Sequence, residues 1–125
     1  MHEVGVAQSL VETITKEAIR LNAKPIAARI SCGQLNPIND EVMQFAFDVA
    51  TKDTICRGMS LSIVHVPWRA TCRKCSHEFD FDIYSPECPQ CQTGEFDMKD
   101  DAPLLLDEIE LDENQPVKET TNTHE

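Results

Sequence analysis

Residues 72–91 read CRKCSHEFDFDIYSPECPQC, two Cys-x2-Cys pairs separated by 12 residues. Each pair can turn two thiolates inward from a tight loop. The arrangement comes close to the C-x2-C, about 15–20, C-x2-C spacing of zinc sites, with a slightly shorter intervening loop. Zinc is d10, accepts four thiolates tetrahedrally and keeps no open position in such a shell, so Cys72, Cys75, Cys88 and Cys91 predict a structural Zn(II). A redox role needs one pair in a thioredoxin-like setting, and two matched pairs weigh against it. Iron uses the same four thiolates and is poorly separated from zinc by sequence; zinc is preferred as the more abundant occupant of such sites.

On the N-terminal side, Ala7, Leu10, Val11, Ile14, Ala18 and Leu21 recur at helical spacing, with Glu12, Lys16, Glu17 and Arg20 turned mostly away. This predicts an amphipathic helix. After Asn22 and Pro25, Ile26, Ala28, Ile30 and Cys32 alternate with Ala27, Arg29 and Ser31, the period of a half-buried strand. Asn36 or Asn39 can cap a second helix running to about Thr51, whose Val42, Met43, Phe45, Ala46, Val49 and Ala50 form a broad apolar stripe. Leu61, Ile63, Val64 and Val66 occupy both alternating faces, which predicts a strand covered on both sides and stopped by Pro67.

Between Trp68 and Lys99 apolar residues thin out, while Phe79, Phe81 and Ile83 alternate with Glu78, Asp80 and Asp82. A run from Leu104 to Leu111 can return to the first sheet, making the metal unit an insertion. The expected fold class is therefore α+β: two helices packed on a small sheet, with an inserted four-cysteine, zinc-ribbon-like subdomain. The expected division is 1–67 as the α+β domain, completed by a strand near 104–111, then 68–102 as the zinc-binding subdomain. Residues 112–125 are polar and expected to be a disordered tail.

The chain's 125 residues allow one compact domain with a metal-stapled appendage. Eleven basic against 22 acidic residues leave a formal net charge of −11. That excludes nucleic acid as the natural partner and favours cations or basic protein surfaces. No apolar run approaches the length of a membrane span, and no basic-then-apolar leader opens the chain, so no membrane association and a cytoplasmic location are expected. Four of the six cysteines cluster in paired units, which without a leader fits metal ligation in a reducing compartment.

The chain opens Met1-His2-Glu3-Val4. A free α-amine, the amide nitrogen of His2 and its imidazole Nδ1 can close adjoining five- and six-membered chelate rings around one metal ion, with the Glu3 carboxylate nearby. Nitrogen-rich planar geometry favours Ni(II) or Cu(II), and geometry does not choose between them. Taken alone, a second-position histidine is an ordinary exposed terminal residue.

Several segments together resemble the HypA/HybF family, the nickel metallochaperones of [NiFe]-hydrogenase maturation. They are Met1-His2-Glu3-Val4, Ile30-Ser31-Cys32-Gly33-Gln34-Leu35, Phe45-Ala46-Phe47, Leu61-Ser62-Ile63 through Pro67, and the pairs Cys72-x2-Cys75 and Cys88-Pro89-x-Cys91. The resemblance covers about residues 1 to 111. Two departures stand out: Gln92-Thr93-Gly94 follows Cys91 where the family usually has Gly-Ser, and the acidic tail after Asp112 is extra.

The resemblance implies Ni(II) bound as cargo at the N-terminus by Met1, His2 and Glu3. It further implies delivery, with a partner GTPase, to the precursor of the [NiFe]-hydrogenase large subunit, and in some organisms to urease through its maturation proteins. Such a protein is a carrier, not an enzyme, and no catalytic residue is assigned. A homodimer is left open.

Of the other candidates, His77 reads as an exposed loop histidine, His65 as a hydrogen-bonded core histidine and Cys32 as a buried thiol acting as a small hydrophobe. Cys56 lies in a loop with no evident partner, and His124 in the tail. The main rival reading is a zinc-ribbon interaction module without nickel at Met1-His2; the acidic balance counts against a version of it that binds nucleic acid. A dithiol oxidoreductase is a second rival, to be separated by a thiol count before and after zinc chelation.

Overall fold

The computed structural model describes residues 2–35 and 37–117, so Met1, the alternative cap Asn36 and the tail residues 118–125 with His124 lie outside the described residues. Helix α1 spans Glu3–Leu21, β1 Lys24–Cys32, α2 Asp40–Thr51, β2 Ser60–His65, β3 Arg69–Cys72, β4 Glu78–Asp80, β5 Phe96–Met98 and β6 Leu105–Asp112. Two three-stranded sheets result, ordered β2-β1-β6 and β4-β3-β5. Because β6 pairs antiparallel with β1, the second sheet is inserted between two strands of the first.

Helix α1 begins four residues earlier than its apolar period shows, with Glu3 in the first turn, where the positive end of the helix dipole favours a carboxylate. It stops at Asn22, held at φ 52°; asparagine tolerates this left-handed conformation better than most residues. Helix α2 is capped by Asn39, whose side chain accepts the Val42 N–H at 3.0 Å. The core between helices and sheet is built from Ile14, Ile30, Met43, Phe47 and Leu61, with smaller side chains such as Ala7 and Cys32 between them.

Three expectations require correction. Ile26 is exposed while Pro25 is fully buried, because an irregularity in the β1–β6 register between Pro25 and Ala27 shifts the alternation by one residue. Strand β2 is covered on one face: Leu61 and Ile63 pack into the core, and Val64, alternating to the opposite face, is exposed. The polar tail is ordered as far as Val117, which is buried and donates its N–H to Asn22 Oδ1 at 3.0 Å.

The two sheets are joined where β1 ends. The Asp101 carboxylate accepts the backbone N–H groups of Gln34 at 3.0 Å and Leu35 at 2.8 Å. The Gln34 side chain accepts the Trp68 N–H at 3.1 Å, and the Trp68 indole donates to Lys99 O at 2.6 Å. Gly33 permits this closure: a Cβ there would lie 2.3 Å from Asp101 Oδ1. Both chain crossings between the units are thus tied to one turn.

Candidate metal centres

Sheet β4-β3-β5 has a small interior made of Ala70, Cys72, Phe79 and Cys88, with Phe96 and Met98 packed against it. Phe79 meets Phe96 edge-on at 5.6 Å, an arrangement that aromatic quadrupoles favour. So few side chains cannot hold a sheet by burial alone, and the cysteines complete it. The four Sγ atoms all lie within 4.8 Å of one another. Cys72 and Cys91 approach to 3.4 Å and Cys75 and Cys88 to 3.6 Å. A tetrahedral ion with metal–sulfur bonds of about 2.3 Å separates its sulfurs by about 3.8 Å, so the set fits one such ion.

The two cysteine loops are built alike. Cys72 N–H donates to His77 O and Cys88 N–H to Thr93 O, both at 2.9 Å. Ser76 N–H returns to Cys72 O and Gln92 N–H to Cys88 O, and both residues turn at φ 62°. That left-handed turn explains why the glycine usual at the second loop can be replaced only at a cost of about 1–2 kcal/mol. Gln92→Gly is expected to raise the stability of this unit by about 0.5–1 kcal/mol after the entropy glycine adds to the unfolded chain, read as slower metal loss to a chelator.

The electrostatics of the four thiols suit a cation among them. The Cys75 and Lys74 N–H groups point at Cys72 Sγ from 3.4 and 3.3 Å and hold its thiol at about 6. For Cys75 the His77 N–H pulls the other way, but desolvation and the neighbouring thiols push it up to about 12. Cys91 is likewise raised, against the pull of the Thr93 N–H, by Cys72 and by desolvation. One thiolate forms readily; further thiolates need a positive ion among them.

At the other end of the chain, His2 is the N-cap of α1, with extended backbone at φ −92° and ψ 91°. Its carbonyl accepts the Val6 N–H at 3.1 Å, while its own amide stands outside the helical ladder and its side chain is exposed. It borders an open groove with Gly5, Ser9, Leu104 and Leu106. The Glu3 carboxylate accepts the Asn39 N–H at 2.9 Å, and that bond is the chief reason its pKa is lowered. Glu3 therefore joins the starts of the two helices.

A family model described as "Hydrogenase/urease nickel incorporation, metallochaperone, hypA" matches residues 1–111. The chain belongs to the HypA family. Among its relatives, a hydrogenase maturation factor HypA from Crocosphaera subtropica is 30% identical over 113 residues, 90% of this chain and 97% of that protein. Another, from Francisella philomiragia, is 32% identical over 110 residues, 87% and 97% of the two chains. The solution structure of the Ni metallochaperone HypA from Helicobacter pylori shares the fold with a TM-score of 0.57 at 21% identity, over 89% of this chain and 97% of that one. A second HypA solution structure gives a TM-score of 0.63, also at 21% identity, over 90% and 98%. The family is one of maturation factors and metallochaperones, and no described helix is long and apolar enough to cross a membrane.

The chain also holds a network that periodicity did not reveal. His65, at the end of β2, lies opposite Cys32 in the β1–β2 register; its Nδ1 is 3.5 Å from Cys32 Sγ and its Nε2 is 2.7 Å from Asp40 Oδ1. His65 is thus partly exposed at the sheet edge rather than a core histidine, and it links both strands to the start of α2. Cys32 is fully buried, as is Cys56, whose Sγ lies 3.5 Å from Thr15 Oγ1. His77 is exposed and stacks on Phe79 at 6.4 Å. The metal-spaced group among the described residues is the four cysteines.

Proposed function

We propose that this protein binds Ni(II) as cargo at its N-terminus, through the Met1 amine and the amide and imidazole nitrogens of His2, with the Glu3 carboxylate beside them. It releases the ion, with a partner GTPase, into the [NiFe]-hydrogenase large-subunit precursor, and serves urease maturation by the same route. Residues 1–67 with the 104–111 strand carry nickel; residues 68–102 hold a structural Zn(II) on Cys72, Cys75, Cys88 and Cys91. The protein acts in the cytoplasm and catalyses no reaction of its own.

The observation that supports this reading is the position of His2 in a chain whose family match begins at residue 1. As N-cap it has an exposed side chain and an amide free of the helical ladder, and Glu3 anchors it at the meeting point of α1 and α2. Glu3 must offer nickel its second oxygen or yield the Asn39 N–H, so its contribution is smaller than that of His2.

Titration of zinc-loaded protein with Ni(II), followed by heat and absorption, tests the reading. The native N-terminus is expected to bind about one nickel per chain, and both His2→Ala and a chain with one glycine added before Met1 are expected to lose that site while keeping zinc. Equal binding by all three, or by none, rejects the N-terminal chelate.

A further inference from the structure

The apolar stripe of α2 is wider than its core-facing side. Met43, Ala46 and Phe47 are buried, but Val42 is 47%, Phe45 71% and Val49 51% exposed. These three recur at i, i+3 and i+7, one face of the helix. On α1, Val4 is 62% exposed and lies on the same side, so that Val4 and Gln8 form one wall, and Val42, Phe45 and Val49 the other, of a shallow recess floored by Ala46 and Ala50. Its volume is about 150 Å³, of the order that receives one ring-sized or branched side chain.

Single exposed apolar residues are ordinary, but four lining one recess between two helices are the pattern of a partner site. The chain's own last eight residues, KETTNTHE, carry no large apolar side chain and cannot supply the occupant. Charge selects among the others. Glu41 and Asp48 stand four before and three after Phe45, on its face of α2, and Glu12 follows Gln8 by one turn on α1. Lys16 and Lys52 mark only the far end. A second copy, carrying the same net charge of −11, meets like charge as it approaches, whereas a basic partner is drawn in.

We infer that the α1–α2 recess is a docking groove for a partner protein's amphipathic helix, its apolar residues seated on Val42, Phe45 and Val49 and its margins carrying lysine or arginine. The groove opens at Val4, two residues from His2, so a helix docked there lies beside the N-terminal metal-binding group. That last consequence rests on the nickel reading; the docking surface itself does not.

The probe is a synthetic amphipathic helix with leucines on one face and lysines along both margins, compared with a counterpart whose margins are glutamates. Binding to the full chain is followed by calorimetry and by amide shifts, with sedimentation of the protein alone and the Ni(II) titration run in parallel. The lysine peptide is expected to bind, more weakly as salt rises, with shifts confined to the first turns of α1 and to α2. Phe45→Asp and Val49→Asp are each expected to weaken it about tenfold or more, with the fold and the Ni(II) titration unchanged.

Unaltered binding to both variants, equal binding of the glutamate peptide, or no binding of either overturns the proposal. A wild-type dimer dissolved by Phe45→Asp also overturns it and makes a second copy the occupant. Loss of nickel binding by the wild type, with peptide binding intact, rejects the metal reading and leaves the groove standing.

Discussion

Cys88→Ser is expected to release the structural metal and unfold the β4-β3-β5 unit while the β2-β1-β6 sheet and its helices stay folded. Cys88 is fully buried in an interior whose other fully or nearly buried members, among the described residues, are Ala70, Cys72 and Phe79. Serine leaves three thiolates and a weak oxygen donor, and the free energy of a structural zinc, about 10–16 kcal/mol in isolated finger peptides, is folding free energy for so small a unit. Metal content should fall below one ion per chain, and amide resonances of residues 69–98 should collapse to random-coil positions. A variant that keeps one metal and a dispersed spectrum overturns this assignment. The pH dependence has a definite sign. With Cys72 held at about 6 but Cys75 pushed to about 12 and Cys91 raised, binding at neutral pH must expel protons from the raised thiols. Affinity therefore falls as pH falls, and calorimetry in buffers of different ionisation heat should register the protons released.

These cysteines were legible because their spacing is local: a Cys-x2-Cys pair forms its own loop whatever the rest of the chain does. The return of β6 to the first sheet was legible for a related reason, since an apolar run after the metal unit needs strands to pair with; that it takes the β1 edge rather than the β2 edge was not. What escaped depends on registers between distant elements. The contacts of His65 with Cys32 and Asp40 require β2 to lie parallel to β1 with residue 65 opposite residue 32, and no periodicity specifies that pairing. The Glu3–Asn39 bond likewise joins two helix starts 36 positions apart. The exposure of Ile26 follows from a local irregularity in β1, which moves side chains to the opposite face without leaving a compositional mark. Periodicity finds an apolar face but does not say whether the chain's own core or another molecule covers it, and α2 presents both cases.

Phe45 and Phe47, two positions apart on that helix, are expected to respond oppositely to alanine. Phe47 is fully buried among the core residues of both helices and the first sheet, and Phe47→Ala should cost about 3–5 kcal/mol through lost transfer energy and the cavity left behind. Against the 5–15 kcal/mol that typically holds a domain, that is a large fraction of the whole, so the variant should unfold at much lower urea and lose tens of degrees in Tm. Phe45 is 71% exposed, and Phe45→Ala should stay within about 0.5 kcal/mol of the parent. Urea unfolding monitored at α+β-unit amides, with zinc present throughout, separates these effects from those of the metal unit. Comparable losses at both positions would mean that the Phe45 face is covered within the folded chain, and the docking groove would go with it. A large loss at Phe47 alone places the core on one side of α2 and leaves the other side for a partner.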